Sequence, residues 1–224
     1  LQRFNSPRVT QPAIFVTELA LGYTLLDLGL APAAMAGHSI GEFAAATLAG
    51  VFDETDALEL IATRAKLSAE APEGKMLAVN ADEAKAQAAA DAEKGKVWMA
   101  VRNAAGRQVI AGEVAAVDRA ATALAAAGVK CRPLPVNRAY HTPLMAEAEA
   151  ALAIKLQSMT LQPPSVPLCC NGSGGWMDDA TATDPIYWAA HVASCVRWSE
   201  NMAALASKAP ATVVEVGSGS SLAP

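Results

Sequence analysis

Apolar and polar positions change their spacing three times along the chain. Across residues 11–30 apolar side chains return every three or four positions, which predicts an amphipathic helix, and Ala31-Pro32 predicts its end. A short apolar run at 34–37 predicts a strand, followed by a helix at 42–48 and a long helix over 53–71. From residue 76 to 137 the pattern predicts strand (76–79), helix (82–93), two strands (97–103 and 107–111), helix (114–127) and strand (129–134). Ala104-Ala105-Gly106 joins the two middle strands as a hairpin signal, and a β-α-β-β-α-β order is that of a ferredoxin-like module. Beyond it the chain predicts a loop that becomes a helix over 137–158, a buried strand at 166–170, helices at 185–192 and 199–207, and a last strand at 213–216.

Composition narrows what such a chain does. Its 224 residues, 53% of them hydrophobic, suffice for one large core or for a large and a small lobe. The net charge of −5 and the lack of a basic stripe argue against a nucleic-acid partner. The longest uncharged run, residues 156–177, holds three prolines and three glycines, so a membrane helix is not expected there. No signal peptide opens the residues given, and Cys131, Cys169, Cys170 and Cys195 have no metal-ligand spacing. We read the cysteines as reduced, buried, small hydrophobes, with no metal and a cytoplasmic location expected. Asn171-Gly172-Ser173 matches a glycosylation acceptor, but without a secretory signal it reads as a loop after a buried strand.

The chemistry concentrates at Gly37-His38-Ser39-Ile40-Gly41-Glu42, a Gly-x-Ser-x-Gly element between an apolar run and a helical one. Glycines there allow the strained strand-to-helix turn that lifts a serine hydroxyl clear of the backbone, and the new helix aims its first N–H groups at the same spot. The five-residue pattern alone also fits an ordinary turn opening a helix. Serine needs a neighbouring base, and only three histidines are available. His38 adjoins Ser39, but consecutive residues at a tight turn point different ways, which suits packing or a place beside the substrate.

The full hexapeptide resembles the nucleophile motif of the malonyl-CoA:acyl carrier protein transacylases and of the acyltransferase domains of polyketide and fatty acid synthases. Four further segments are similar in order: Thr10-Gln11-Pro12-Ala13, Arg64 at the family's interval after the serine, Tyr140-His141-Thr142-Pro143-Leu144-Met145, and Val213-Val214-Glu215-Val216-Gly217. The resemblance implies an α/β fold with an α/β-hydrolase-like large lobe (residues 1–75 and 138–224) and an inserted ferredoxin-like small lobe (76–137). It implies Ser39 as nucleophile, His141 as base, the Ile40 backbone N–H as an oxyanion donor, and the backbone of His191, where the family usually has Gln or Asn, as the group that orients the base. Arg64 would hold the substrate carboxylate, with Gln11, His38 and Tyr140 around the substrate.

Ile40 and the aromatic Tyr140 before His141 side with malonyl over methylmalonyl selectivity, although Arg138 matches neither pattern. The expected reaction moves a malonyl unit from coenzyme A to an acyl carrier protein inside a larger synthase, with no bound cofactor and the coenzyme A thioester as substrate. The family opens with a strand and a Gly-Gln-Gly loop that has no counterpart here before Leu1. That segment either lies upstream or is lost, and a sheet without its central strand would leave backbone groups unpaired, which favours the first. Its oxyanion donor would be worth about 3 kcal/mol. Two other functions share parts of the pattern: an α/β-hydrolase-type esterase or thioesterase, which would need neither the insert nor the arginine, and an inert carrier-docking domain.

Overall fold

The computed structural model of the chain describes residues 6–207 and 212–219, so the outermost residues of the expected large lobe lie outside it. Helix α1 (Pro7–Asp27) begins earlier than the apolar spacing predicts, because a proline at its first turn has no N–H to leave unpaired. It ends before Ala31-Pro32. Gly29 takes φ 90°, and the Leu30 N–H turns back to the Leu25 carbonyl at 3.0 Å, closing the helix with a left-handed glycine cap. By length and composition α1 is apolar enough to span a membrane, yet its Phe15 and Leu19 are buried in the core. Helices α2 (Ile40–Leu48) and α3 (Glu54–Glu70) pack against it, the latter capped by Asp53, which accepts the Thr55 N–H at 2.9 Å. Phe15, Leu19, Phe43, Leu60 and Ile61 form the centre of this helical core.

A four-stranded unit follows: β1 (Lys75–Val79), α4 (Glu83–Asp91), β2 (Val97–Ala104), β3 (Arg107–Gly112), α5 (Val114–Ala126) and β4 (Cys131–Pro133). The strands lie in the order β2-β3-β1-β4, every neighbouring pair antiparallel. Ala104 pairs with Arg107, so the hairpin turns through Ala105 and Gly106 alone. Alternation along the strands gives the sheet two apolar faces. Leu77, Val79 and Ile110 bury against Ala86, Ala90, Val117 and Leu124, while Met76, Val109 and Ala111 face Ala139, Val196 and Trp198.

The chain then returns to the helical core through a 3₁₀ turn (Pro143–Met145), α6 (Ala146–Leu156), α7 (Asp179–Ala182), α8 (Pro185–Ala190) and α9 (Trp198–Ala206). The strands expected at 34–37 and 166–170 shrink to isolated bridges, Met35 with Leu168 in parallel and Cys169 with Trp176 antiparallel. The Met35 N–H donates to Pro167 O at 2.8 Å and the Cys169 N–H to Met35 O at 3.0 Å. The strand expected at 213–216 is absent: Val213 and Val214 are exposed, and no strand among the described residues pairs with them. Apolar runs identify segments able to form strands, but a strand needs a ladder partner, which the run does not encode.

Beside β2 the segment after α8 adds a short rung. The Val196 N–H donates to Ala100 O at 2.9 Å and the Arg102 N–H to Val196 O at 2.8 Å, next to a register shift between Met99 and Val101. Such an irregularity turns a strand edge out of its regular pairing. Arg102 reinforces the join, reaching Glu83 at 3.0 Å and Glu200 at 3.4 Å.

Candidate active site

Ser39 sits at the turn between the Met35 bridge and α2 with φ 53° and ψ −118°, a backbone conformation that residues with a Cβ rarely adopt. Gly37 makes the turn possible, since a Cβ there would lie 2.0 Å from the Gly41 carbonyl carbon and oxygen. Gly41 is less constrained: a Cβ there would meet nothing nearer than the Glu18 carboxylate at 3.5 Å. His141, on the loop before the 3₁₀ turn, also has a left-handed backbone at φ 63° and is held by its N–H on Val192 O at 2.9 Å.

These two turns bring the Ser39 Oγ to 2.7 Å from the His141 Nε2. The His141 Nδ1 faces two carbonyls, Ser194 O at 3.0 Å and His191 O at 3.2 Å. Carbonyls only accept, so Nδ1 carries the proton and Nε2 is left bare to take one from Ser39. Burial first, then the charges of His191, Arg64 and His38, hold His141 well below the ordinary histidine range. The Ile40 N–H, at the start of α2, has no hydrogen-bond partner among the described residues, as is usual for the first N–H groups of a helix.

Arg64 on α3 is 2% exposed and meets no carboxylate among the described residues. One Nη donates to Gln11 Oε1 at 2.5 Å, the Nε has no partner, and the guanidinium lies 5.7 Å from the centre of the Phe43 ring. Burial pushes it down to about 10, opposed by Tyr140 beside it. Tyr140 is half-buried; its hydroxyl is raised by burial and lowered again by Gln11, Arg64 and Arg138. Gln11, Arg64, Tyr140 and His141 are therefore one neighbourhood. Arg138 is committed elsewhere, donating to Asn137 O at 2.8 Å and to Ala69 O at 2.6 Å near the end of α3.

His38 points away from Ser39. Its Nε2 is 2.9 Å from Asn103 Oδ1 at the end of β2, its ring meets Trp198 edge-on, and burial lowers its pKa. The His191 side chain is buried behind the base, with Nε2 3.1 Å from Glu42 Oε2, a close approach without the alignment of a hydrogen bond. Four participants carry no role in the sequence reading: Ser194, Asn103, Glu42 and Asn171. Ser194 acts through its carbonyl, which any residue type supplies. Asn171 is 1% exposed and bonded through both ends of its amide, so the glycosylation reading of its triplet fails. A polar residue directly after the apolar run 166–170 was the available signal.

Residues 2–223 match the family described as Acyl transferase domain. The chain belongs to that family. It is 34% identical over 92% of its length to polyketide synthase GfsA of Streptomyces halstedii, of which it covers 3%. With the malonyl CoA-acyl carrier protein transacylase of Escherichia coli K12 it shares 37% identity over 97% of the chain and 73% of that protein. The acyltransferase domain from the second module of the salinomycin polyketide synthase superposes with a TM-score of 0.93 at 38% identity, over 99% of this chain and 52% of that one. The chain thus spans about half of that solved structure and a small part of the synthase.

Proposed function

We propose that this chain transfers a malonyl unit from coenzyme A to the phosphopantetheine thiol of an acyl carrier protein, as one domain of a cytoplasmic polyketide synthase. It would do so by a ping-pong reaction on a Ser39–His141 dyad. In the first half-reaction Ser39 Oγ attacks the thioester carbonyl carbon while its proton passes to His141 Nε2. The C–O bond forms, the C–S bond breaks, and His141 returns the proton to the departing thiolate. In the second, the carrier thiol gives its proton to His141, attacks the seryl ester and releases Ser39 with the proton restored. The Ile40 N–H meets the oxyanion, and the Ser194 and His191 carbonyls accept from Nδ1 of the imidazolium.

Arg64 carries the choice of substrate. A guanidinium buried without a carboxylate is expensive, and an acyl chain ending in one supplies the missing partner through a two-pronged charge-assisted pair. A hydrolase of neutral esters has no use for it. Tyr140, packed beside Arg64, limits the room for a branch at the α-carbon. On this reading residues 76–137 are a ferredoxin-like small lobe set into an α/β-hydrolase-like large lobe, a division supported by the strand order β2-β3-β1-β4.

Intact-mass measurement after mixing with malonyl-CoA tests the scheme. The parent should gain one malonyl group and Ser39→Ala none. Stoichiometric acylation of Ser39→Ala would place the nucleophile elsewhere.

A further inference from the structure

Behind the dyad lies a buried polar side chain that the transfer scheme leaves unused. The Ser39 backbone persists in its left-handed conformation only if neighbours impose it. The Asn171 carboxamide spans the turn: Nδ2 donates to Gly37 O at 2.7 Å and Oδ1 accepts the Ser39 N–H at 3.0 Å. One planar group thus serves a carbonyl and an N–H two residues apart that the turn withholds from helix and strand. Asn171 is itself clamped. Its N–H donates to both Glu42 carboxylate oxygens, at 3.2 and 3.3 Å, and its carbonyl accepts the Arg197 N–H at 3.0 Å. Glu42, wholly buried, also takes the Tyr187 hydroxyl and lies against the ring of His191, whose carbonyl faces His141. A closed circuit therefore runs from Ser39 through Asn171, Glu42, His191 and His141 back to the Ser39 hydroxyl.

We propose that Asn171 is a positioning residue for the nucleophile: its carboxamide holds Ser39 in the conformation from which Oγ reaches His141, and Glu42 holds Asn171 in place. The inference rests on Ser39 being the nucleophile. Neither alanine nor an ionised aspartate at 171 does the same work. Alanine offers neither donor nor acceptor. An ionised aspartate keeps the acceptor for the Ser39 N–H but turns a second lone pair on Gly37 O, whereas a protonated aspartic acid has one donor and one acceptor and restores the amide's pattern.

Two reagents test it on the parent, Asn171→Ala and Asn171→Asp proteins. Malonyl-CoA reports transfer. A fluorophosphonate reports the nucleophile alone, because Ser39 Oγ displaces fluoride from phosphorus whatever the natural acyl donor. Asn171→Ala should be labelled about 100-fold more slowly by both, with an unchanged KM for malonyl-CoA, so that the loss falls on kcat, and with a lower melting temperature from the unpaired Gly37 O and Ser39 N–H. Asn171→Asp should match the parent near about pH 5.5 and fall behind it as its carboxyl ionises, at a pH that burial lifts above the ordinary carboxylate range, so the scan runs to about pH 9. The titratable and charged residues around position 171 are Glu42 and Cys170 beside it, Tyr187 and His191 from α8 and its end, and Cys195 and Arg197 from the segment before α9. Glu42, pushed up to about 8 by burial, and His141, held well below the ordinary histidine range, are common to parent and variant and are divided out by the ratio.

Parent-level labelling in a folded Asn171→Ala would overturn the assignment. If the alanine variant does not fold, a flat ratio of Asn171→Asp to parent across pH overturns it instead. A parent labelled at Ser39 by the fluorophosphonate but not by malonyl-CoA would sink the malonyl reading alone and leave the Asn171 comparison intact.

Discussion

Arg64 brings a positive charge into the core, where among the described residues Gln11, Tyr140 and the Phe43 ring receive it and no carboxylate does. Losing a desolvated charge-assisted pair costs about 2–5 kcal/mol, so Arg64→Ala should lower kcat/KM for malonyl-CoA by that amount and leave acetyl-CoA almost untouched. Arg64→Lys should recover only part, because an ammonium cannot reproduce the two-pronged fork. The measurement is the malonyl-to-acetyl ratio of kcat/KM, and an unchanged ratio would reduce Arg64 to packing on Phe43. Ser39, His141 and Arg64, which the structure brings into one neighbourhood, were singled out in the sequence by residue type and motif. Backbone roles came only through the resemblance, for Ile40 and His191, and Ser194 and Asn171 were missed. The carbonyl of Ser194 leaves no trace in its side chain, and Asn171 looks like any loop asparagine until the turn it bridges is folded.

The turn into α2 depends unequally on its two motif glycines. A methyl at Gly37 would meet main-chain atoms at 2.0 Å that cannot withdraw, whereas one at Gly41 meets only the end of a flexible glutamate at 3.5 Å. Gly37→Ala should therefore destabilise the fold by at least about 3 kcal/mol, while Gly41→Ala should stay within about 1 kcal/mol of the parent. Urea unfolding of both compares them, and equal losses would show that Gly41 is held by something other than space. Helices emerged from the sequence nearly intact because their period and caps are local; β1, β2 and β3 did too, being neighbours joined by short connections. The segments at 34–37, 166–170 and 213–216 failed for the opposite reason, since pairing between residues more than a hundred positions apart cannot be read from either run.

Buried ionisable groups set how the whole molecule responds to pH. Burial lowers His38, His141 and His191 from an ordinary 6.5, and raises Glu18 to about 7 and Glu42 to about 8 from 4.5. As pH falls below 6.5 the unfolded chain binds protons on three histidines that the folded chain refuses, which outweighs the two protons the folded carboxyls retain, and stability drops. As pH rises above 7 the folded chain still holds a proton on Glu42 that the unfolded chain has released, and stability drops again until Glu42 ionises near 8. Each proton of difference changes stability by about 1.4 kcal/mol per pH unit. The melting temperature should accordingly peak near about pH 6.5, where the half-protonated histidines of the unfolded chain balance the two folded carboxyls, and a monotonic rise through about pH 8 would show that Glu42 is ionised in the fold. The rung at Val196 has a different reach. Two residues before it, the Ser194 carbonyl steers the imidazole, while Val196 itself is stitched to Ala100 and Arg102. The sheet and His141 are thus joined by three residues of main chain, so that a shift of β2 would carry with it the carbonyl that faces Nδ1.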